Sequence, residues 1–171
     1  LLATGSIEED TQVWWSVRPH LAFGTVEVRI CDAQSTADES NALTEMIVAC
    51  VLQCARDDDD GRPIFEPAGR LIEENLWRAI RWGAAGELID LERGVCLPAR
   101  AAFDQLLEWT VPVRAELGIE PRFPALNGAE RQAVAFAEGQ SIADVYASTV
   151  AHTRQSFGGD QPTSPTEVST S

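Results

Sequence analysis

The sequence predicts an α+β fold in which an antiparallel strand pair comes first and helices make up most of the rest. Three observations carry that prediction. Thr25 to Ile30 alternate polar and apolar, the period of a half-buried strand. Beyond residue 38 the apolar residues recur three and four apart, the period of an amphipathic helix. Helix-opening pairs and Pro or Gly stops then divide the rest of the chain into several separate helices.

Residues 1 to 12 read as irregular chain or a short helix. Residues 13–18 and 24–31 read as two β-prone strands joined around Pro19 to Phe23. Thr25, Glu27 and Arg29 share one face of the second strand; Val26, Val28 and Ile30 share the other. Trp14 and Trp15 point to opposite faces of the first strand, so at least one is expected in the core. Arg18 and His20 stand just before the Phe23–Gly24 bend. One hairpin therefore gathers basic, acidic and aromatic groups. The competing reading is an ordinary sheet edge with solvated charges.

Thr36-x-x-Glu39 is a capping box. Leu43, Met46, Ile47, Cys50, Val51 and Cys54 follow at helical spacing, which predicts a helix over 38–56. Asp57 to Asp60 are placed beyond its end, in solvent, because carboxylates oppose the negative end of the helix dipole. Pro67 suits the first turn of the next helix, and Gly83 its stop. Leu88–Leu91 and Val95–Leu97 read as a short ribbon around Gly94. Pro98 opens a helix through Trp109, Pro112 should kink or break it, and Gly118 ends it. Asn127-x-x-Glu130 and Ser141-x-x-Asp144 open the last two helices. The polar run 158–171 has almost nothing to bury and is expected to be disordered, which leaves 1–157 as the folded portion.

Composition narrows the function. With 171 residues there is enough chain for one sizeable core. The formal net charge is -14, which argues against nucleic acid and anionic membranes as partners, since their phosphates would be repelled. All the basic residues are Arg. No apolar run is long enough to span a bilayer. The four Cys are too sparse for a disulfide scaffold, and Cys50 and Cys54 lack further ligands at metal spacing; a reducing, cytoplasmic setting is expected. The start carries neither a signal-peptide pattern nor an initiator Met, so the chain reads as a piece of something longer or a processed form.

The hairpin run W-W-S-V-R-P-H, Trp14 to His20, followed by G-T-V-E-V-R-I-C-D, Gly24 to Asp32, resembles the signature of the type 2 glutamate–cysteine ligases, the carboxylate–amine ligase family. Glu27-x-Arg29-x-x-Asp32 also resembles a late E-x-R-x-x-D segment of glutamine synthetase, whose fold that family shares. E-N-L-W-R-A-I-R-W-G, Glu74 to Gly83, resembles a second stretch of the family. Ser16 departs from the pattern, which more often has an acid there.

The resemblance implies the C-terminal portion of a glutamine synthetase-like fold. It implies ATP-dependent joining of glutamate to an amine such as cysteine through an acyl phosphate. Two negative species must meet in that chemistry, so a divalent cation and arginines are needed to offset their repulsion. Carried over residue by residue, Glu27 is a Mg²⁺ ligand near the phosphates and Arg29 the catalytic contact to the transferred phosphoryl. Arg18 and His20 would line the substrate side. His20 stands either as a general base or as a hydrogen-bonded structural group. Arg78 and Arg81, three apart on a helix with Asn75 before them, would bind nucleotide or substrate carboxylate, or else lie on a solvated face paired with Glu73 and Glu74. Trp77 and Trp82 read as packing. Two other functions compete: a non-catalytic helical dimerisation module, and a phosphotransferase of the related guanidino kinase type. A homodimer is compatible with all three.

Overall fold

The computed structural model describes residues 1–63 and 65–158. Apart from Gly158, the tail expected over 158–171 lies outside the described residues. The described residues form two strand pairs and six α-helices, a mixed α+β architecture weighted toward helix. The chain divides into two compact units: residues 1–43 with 122 onward, and residues 44–121.

The first unit holds the hairpin. β1 spans Val17–His20 and β2 spans Thr25–Val28, antiparallel, with Arg18 opposite Glu27 and His20 opposite Thr25. β1 starts later than its β-prone sequence suggests. Trp14 and Trp15 precede the ladder and are 82% and 58% exposed, so neither is core. Strand is set by pairing rather than propensity, and the register reaches back only to the Arg29 N–H bond to the Ser16 carbonyl, 2.7 Å. That bond fixes the alternation of the ladder and puts Pro19, which has no N–H, at a non-hydrogen-bonded position. Gly24 closes the turn at φ 61°, where a side chain would be strained.

α1, Ala37–Asp59, begins in this unit. Thr36 Oγ1 accepts the Glu39 N–H at 3.2 Å, as the capping box requires, and donates to Glu39 Oε2 at 2.9 Å. α5, Gly128–Ala137, and α6, Ile142–Phe157, both start with complete capping boxes, from Asn127/Glu130 and Ser141/Asp144. Arg131 of α5 grips Glu39 of α1 with two bonds, 2.6 and 3.0 Å. The α6 hydroxyls reach the same corner: Ser156 accepts the Ala37 N–H and Thr153 donates to the Ser35 carbonyl.

The second unit holds the rest of α1, then α2 (Gly69–Trp82), β3 (Glu87–Asp90), β4 (Val95–Pro98), α3 (Ala99–Trp109) and α4 (Val111–Leu117). α1 runs through Asp57 to Asp59 instead of ending at residue 56. Asp57 is held by Gln53 Nε2 (2.8 Å), Trp109 Nε1 (2.9 Å) and Arg62 (3.0 Å), which outweigh the unfavourable dipole. The Gln53 bond comes first among the causes that hold the Asp57 carboxyl below its ordinary range, then the Trp109 bond. The Gly94 ribbon is real: β3 and β4 pair antiparallel, Leu88 opposite Leu97. α2 is tied to it by Asn75, whose amide gives one bond to the Ile89 carbonyl (2.8 Å) and takes one from the Ile89 N–H (2.7 Å). Pro112 does break the helix. Thr110, fully buried between α3 and α4, gives its hydroxyl to the Leu106 and Leu107 carbonyls, and Arg114 caps the latter. Among the described residues of this unit, Met46, Ala49 and Val113 are the buried apolar ones.

Candidate functional site: one face of the hairpin

Opposed residues of an antiparallel pair share a face. The register therefore puts Arg18, His20, Thr25 and Glu27 together on one side of β1–β2, with Arg29 one step beyond. Glu27 sits between two guanidiniums. Its Oε2 is 2.5 Å from Arg18 Nη2, and its Oε1 is 3.8 Å from Arg29 Nε. The side chains of Arg18, Arg29 and Glu27 are 14%, 33% and 43% exposed. The first contact is a close ion pair without hydrogen-bond geometry, since Glu27 Oε2 is buried with no hydrogen-bond partner among the described residues; the second is a loose approach.

Each arginine has a second tether. Arg18 Nη1 donates to the Thr11 carbonyl at 2.6 Å and to the Val13 carbonyl at 3.4 Å, which binds the segment before β1 to the hairpin. Its Nε is buried without a hydrogen-bond partner among the described residues. The Arg18 side chain also borders an apolar cavity of about 300 Å³, with Trp15, Pro19 and Leu21. The guanidinium of Arg29 lies 5.0 Å from the ring centroid of Trp14, a cation–π contact. Sequence reasoning expected at least one of Trp14 and Trp15 in the core and gave Trp14 no contact to Arg29. Its signal was the adjacency of a bulky aromatic to a strand whose opposite member carries the arginine. His20 is half-buried, its ring 4.6 Å from Phe23, and its Nδ1 is buried with no partner among the described residues.

Arg78 and Arg81 belong to the second unit. Arg78 Nε donates to Glu74 at 2.8 Å, and Nη1 reaches Cys96 Sγ at 3.6 Å. The Glu74 carboxylate raises the Arg78 pKa further. Arg81 is exposed. Asn75, read as a companion of these arginines, is committed to the β3 backbone. Trp77 and Trp82 pack edge to face on each other, centroids 4.9 Å apart.

Residues 1–157 match glutamate–cysteine ligase family 2. The chain belongs to glutamate–cysteine ligase family 2. It is 38% identical over 154 residues to a protein provisionally named glutamate–cysteine ligase 2 in Gloeobacter violaceus, covering 86% of this chain and 41% of that protein. It is 37% identical over 153 residues to a similarly named protein of Rubrobacter xylanophilus, covering 85% and 40%. A Frankia alni relative is 34% identical over 153 residues, again covering 85% and 40%. The chain thus spans about two fifths of the length of the curated relatives it matches. Its α+β architecture is that of the glutamine synthetase-like fold of the family.

The donor set tests whether a divalent cation fits. Among the described residues no group of three His, Cys, Asp or Glu side chains converges on one point. An all-protein cage is therefore absent from this face. Mg²⁺ does not need one: it takes one or two carboxylates and completes its shell with water and phosphate. Glu27 Oε1, 3.8 Å from Arg29 Nε, fits that single-carboxylate role. Among the described residues no helix is long and apolar enough to cross a membrane.

Proposed function

We propose that these residues are part of an ATP-dependent carboxylate–amine ligase that joins glutamate to cysteine, and that the polar face of β1–β2 meets the reacting phosphates. One observation carries the reading: in a chain of this family, a rigid hairpin face presents a carboxylate between two guanidiniums. Residues 1–157 then form a portion of one catalytic domain. Its remaining metal carboxylates and nucleotide contacts would come from outside these 171 residues. The setting is the cytoplasm, where thiols such as Cys31, Cys50, Cys54 and Cys96 stay free.

In this reaction the γ-carboxylate of glutamate attacks the terminal phosphorus of ATP and ADP leaves. The resulting acyl phosphate is attacked by the amine of cysteine. Phosphate departs, an amide bond forms, and the amine gives up a proton. Bound Mg²⁺ supplies charge neutralisation between the two anions. Glu27 would hold that cation by one oxygen. Arg29, anchored on Trp14 yet only loosely paired to Glu27, would follow the phosphoryl as charge shifts onto its oxygens. His20 stands beside this face with an unpaired Nδ1 and would accept the amine proton. Arg78 and Arg81 would bind substrate carboxylate or phosphate, Arg78 only by exchanging its Glu74 contact.

The test separates Glu27 from Arg29 in a full-length ligase containing these residues. E27Q keeps shape but loses the charge that attracts a hard cation, so the Mg²⁺ requirement rises and excess Mg²⁺ restores part of the rate. R29K keeps charge but loses the planar fork, so turnover falls with little change in metal dependence. Near-wild-type Mg²⁺ curves for both variants would remove this face from the active site.

A further inference from the structure

Arg18 is a positioning residue, we infer, that holds Glu27 off Arg29 and leaves the second guanidinium free for the phosphoryl group; the inference rests on the ligase reading of this face. A guanidinium has five N–H donors. On Arg18, both donors of Nη1 are spent on the Thr11 and Val13 carbonyls, Nη2 lies 2.5 Å from Glu27 Oε2, and Nε is buried. The donors left over, on Nε and Nη2, lie against Glu27 on a side chain only 14% exposed. A substrate anion reaching this group would have to displace backbone carbonyls and a carboxylate together. Arg29 is the opposite case, with one loose carboxylate contact at 3.8 Å and a ring behind it.

The geometry gives Arg18 a different task. Glu27 and Arg29 are two residues apart on one strand, so they face the same way and attract each other. Left to themselves they would close into a pair, which would withhold the arginine from phosphate and the carboxylate from metal. Arg18 stands across the ladder from Glu27 and takes its Oε2, with the backbone tether fixing where that guanidinium can be. The carboxylate is drawn toward β1, and its separation from Arg29 is maintained.

The experiment is a double-mutant comparison in the full-length ligase, with turnover measured against Mg²⁺, ATP and glutamate. R18M should lower kcat about tenfold, the worth of one charge-assisted contact, while the KM for ATP and for glutamate stays within about twofold. In the E27Q background the neutral amide no longer closes on Arg29, so adding R18M should cost less than about twofold further. R18K, which keeps the charge but not a fork spanning the Thr11 carbonyl and Glu27, should show the same dependence on background; it carries the comparison if R18M does not fold. Additive losses in the two backgrounds would overturn the inference. So would a KM for ATP or glutamate that rises about tenfold in both, since Arg18 would then bind substrate itself. Wild-type kinetics for E27Q alone would instead defeat the ligase reading of the face.

Discussion

Replacing Arg131 by Met should cost the first unit about 2–4 kcal/mol and invert its acid response. Glu39 is 6% exposed and accepts two bonds from Arg131 and one from Thr36; Arg131 also donates to the Leu126 carbonyl at 2.7 Å. Removing one partner of a buried pair costs roughly 3–5 kcal/mol, and the one-third exposure of Arg131 lets water soften that toward the lower figure. With a urea slope of about 2 kcal/mol/M, a 3 kcal/mol loss moves the midpoint by about 1.5 M. The pH dependence has a definite sign. The Arg131 bond is the first of the causes that hold the Glu39 carboxyl below its ordinary value, so its contribution is present above about pH 4.3 and is lost as pH falls through the folded value. In R131M the carboxylate is buried without its cation, its pKa rises, and acid should now stabilise the variant relative to neutral pH. Far-UV circular dichroism in urea at pH 7, 5 and 3.5 reads both effects. A loss below about 0.5 kcal/mol, or parallel pH profiles for both proteins, would show that the pair is a surface contact.

Asn75→Ala strands the Ile89 N–H and carbonyl together, so urea denaturation should show a loss of about 1–3 kcal/mol, with Asn75→Asp intermediate because one acceptor survives. The 171-residue chain by itself should release no phosphate from ATP in a manner dependent on glutamate and cysteine, because it spans only about two fifths of the length of its relatives; steady glutamate- and cysteine-dependent release would show that the site is complete within it.

Local signals carried most of the helices. Thr36-x-x-Glu39, Asn127-x-x-Glu130 and Ser141-x-x-Asp144 open helices where the capping pattern put them, because a cap is satisfied within four residues of chain. Pro112 ended α3 for an equally local reason. The misjudged boundaries depend on distant partners. α1 outruns its predicted end because Asp57 is held by Gln53, one turn back, and also by Trp109, 52 residues away in sequence. β1 begins late because pairing with β2 stops at Ser16, and no propensity of Trp14 or Trp15 announces that.

The same division runs through the candidate site. Period two alone placed Glu27 and Arg29 on one face. What period two cannot give is the register, which sets Arg18 opposite Glu27 and Ser16 opposite Arg29. That last pairing bears on Ser16, which in the sequence reading is a departure from the expected acid. An acid at position 16 would face Arg29 across the ladder and compete for it. Serine leaves two guanidiniums against one carboxylate, a local excess of positive charge on a chain whose formal net charge is -14. Anions are repelled by most of such a surface and attracted where the sign reverses. On the proposed reading, a face with that reversal and two arginines beside one carboxylate would receive phosphate. It also demands that Glu27 be restrained, because the carboxylate is otherwise the nearest anion to both cations.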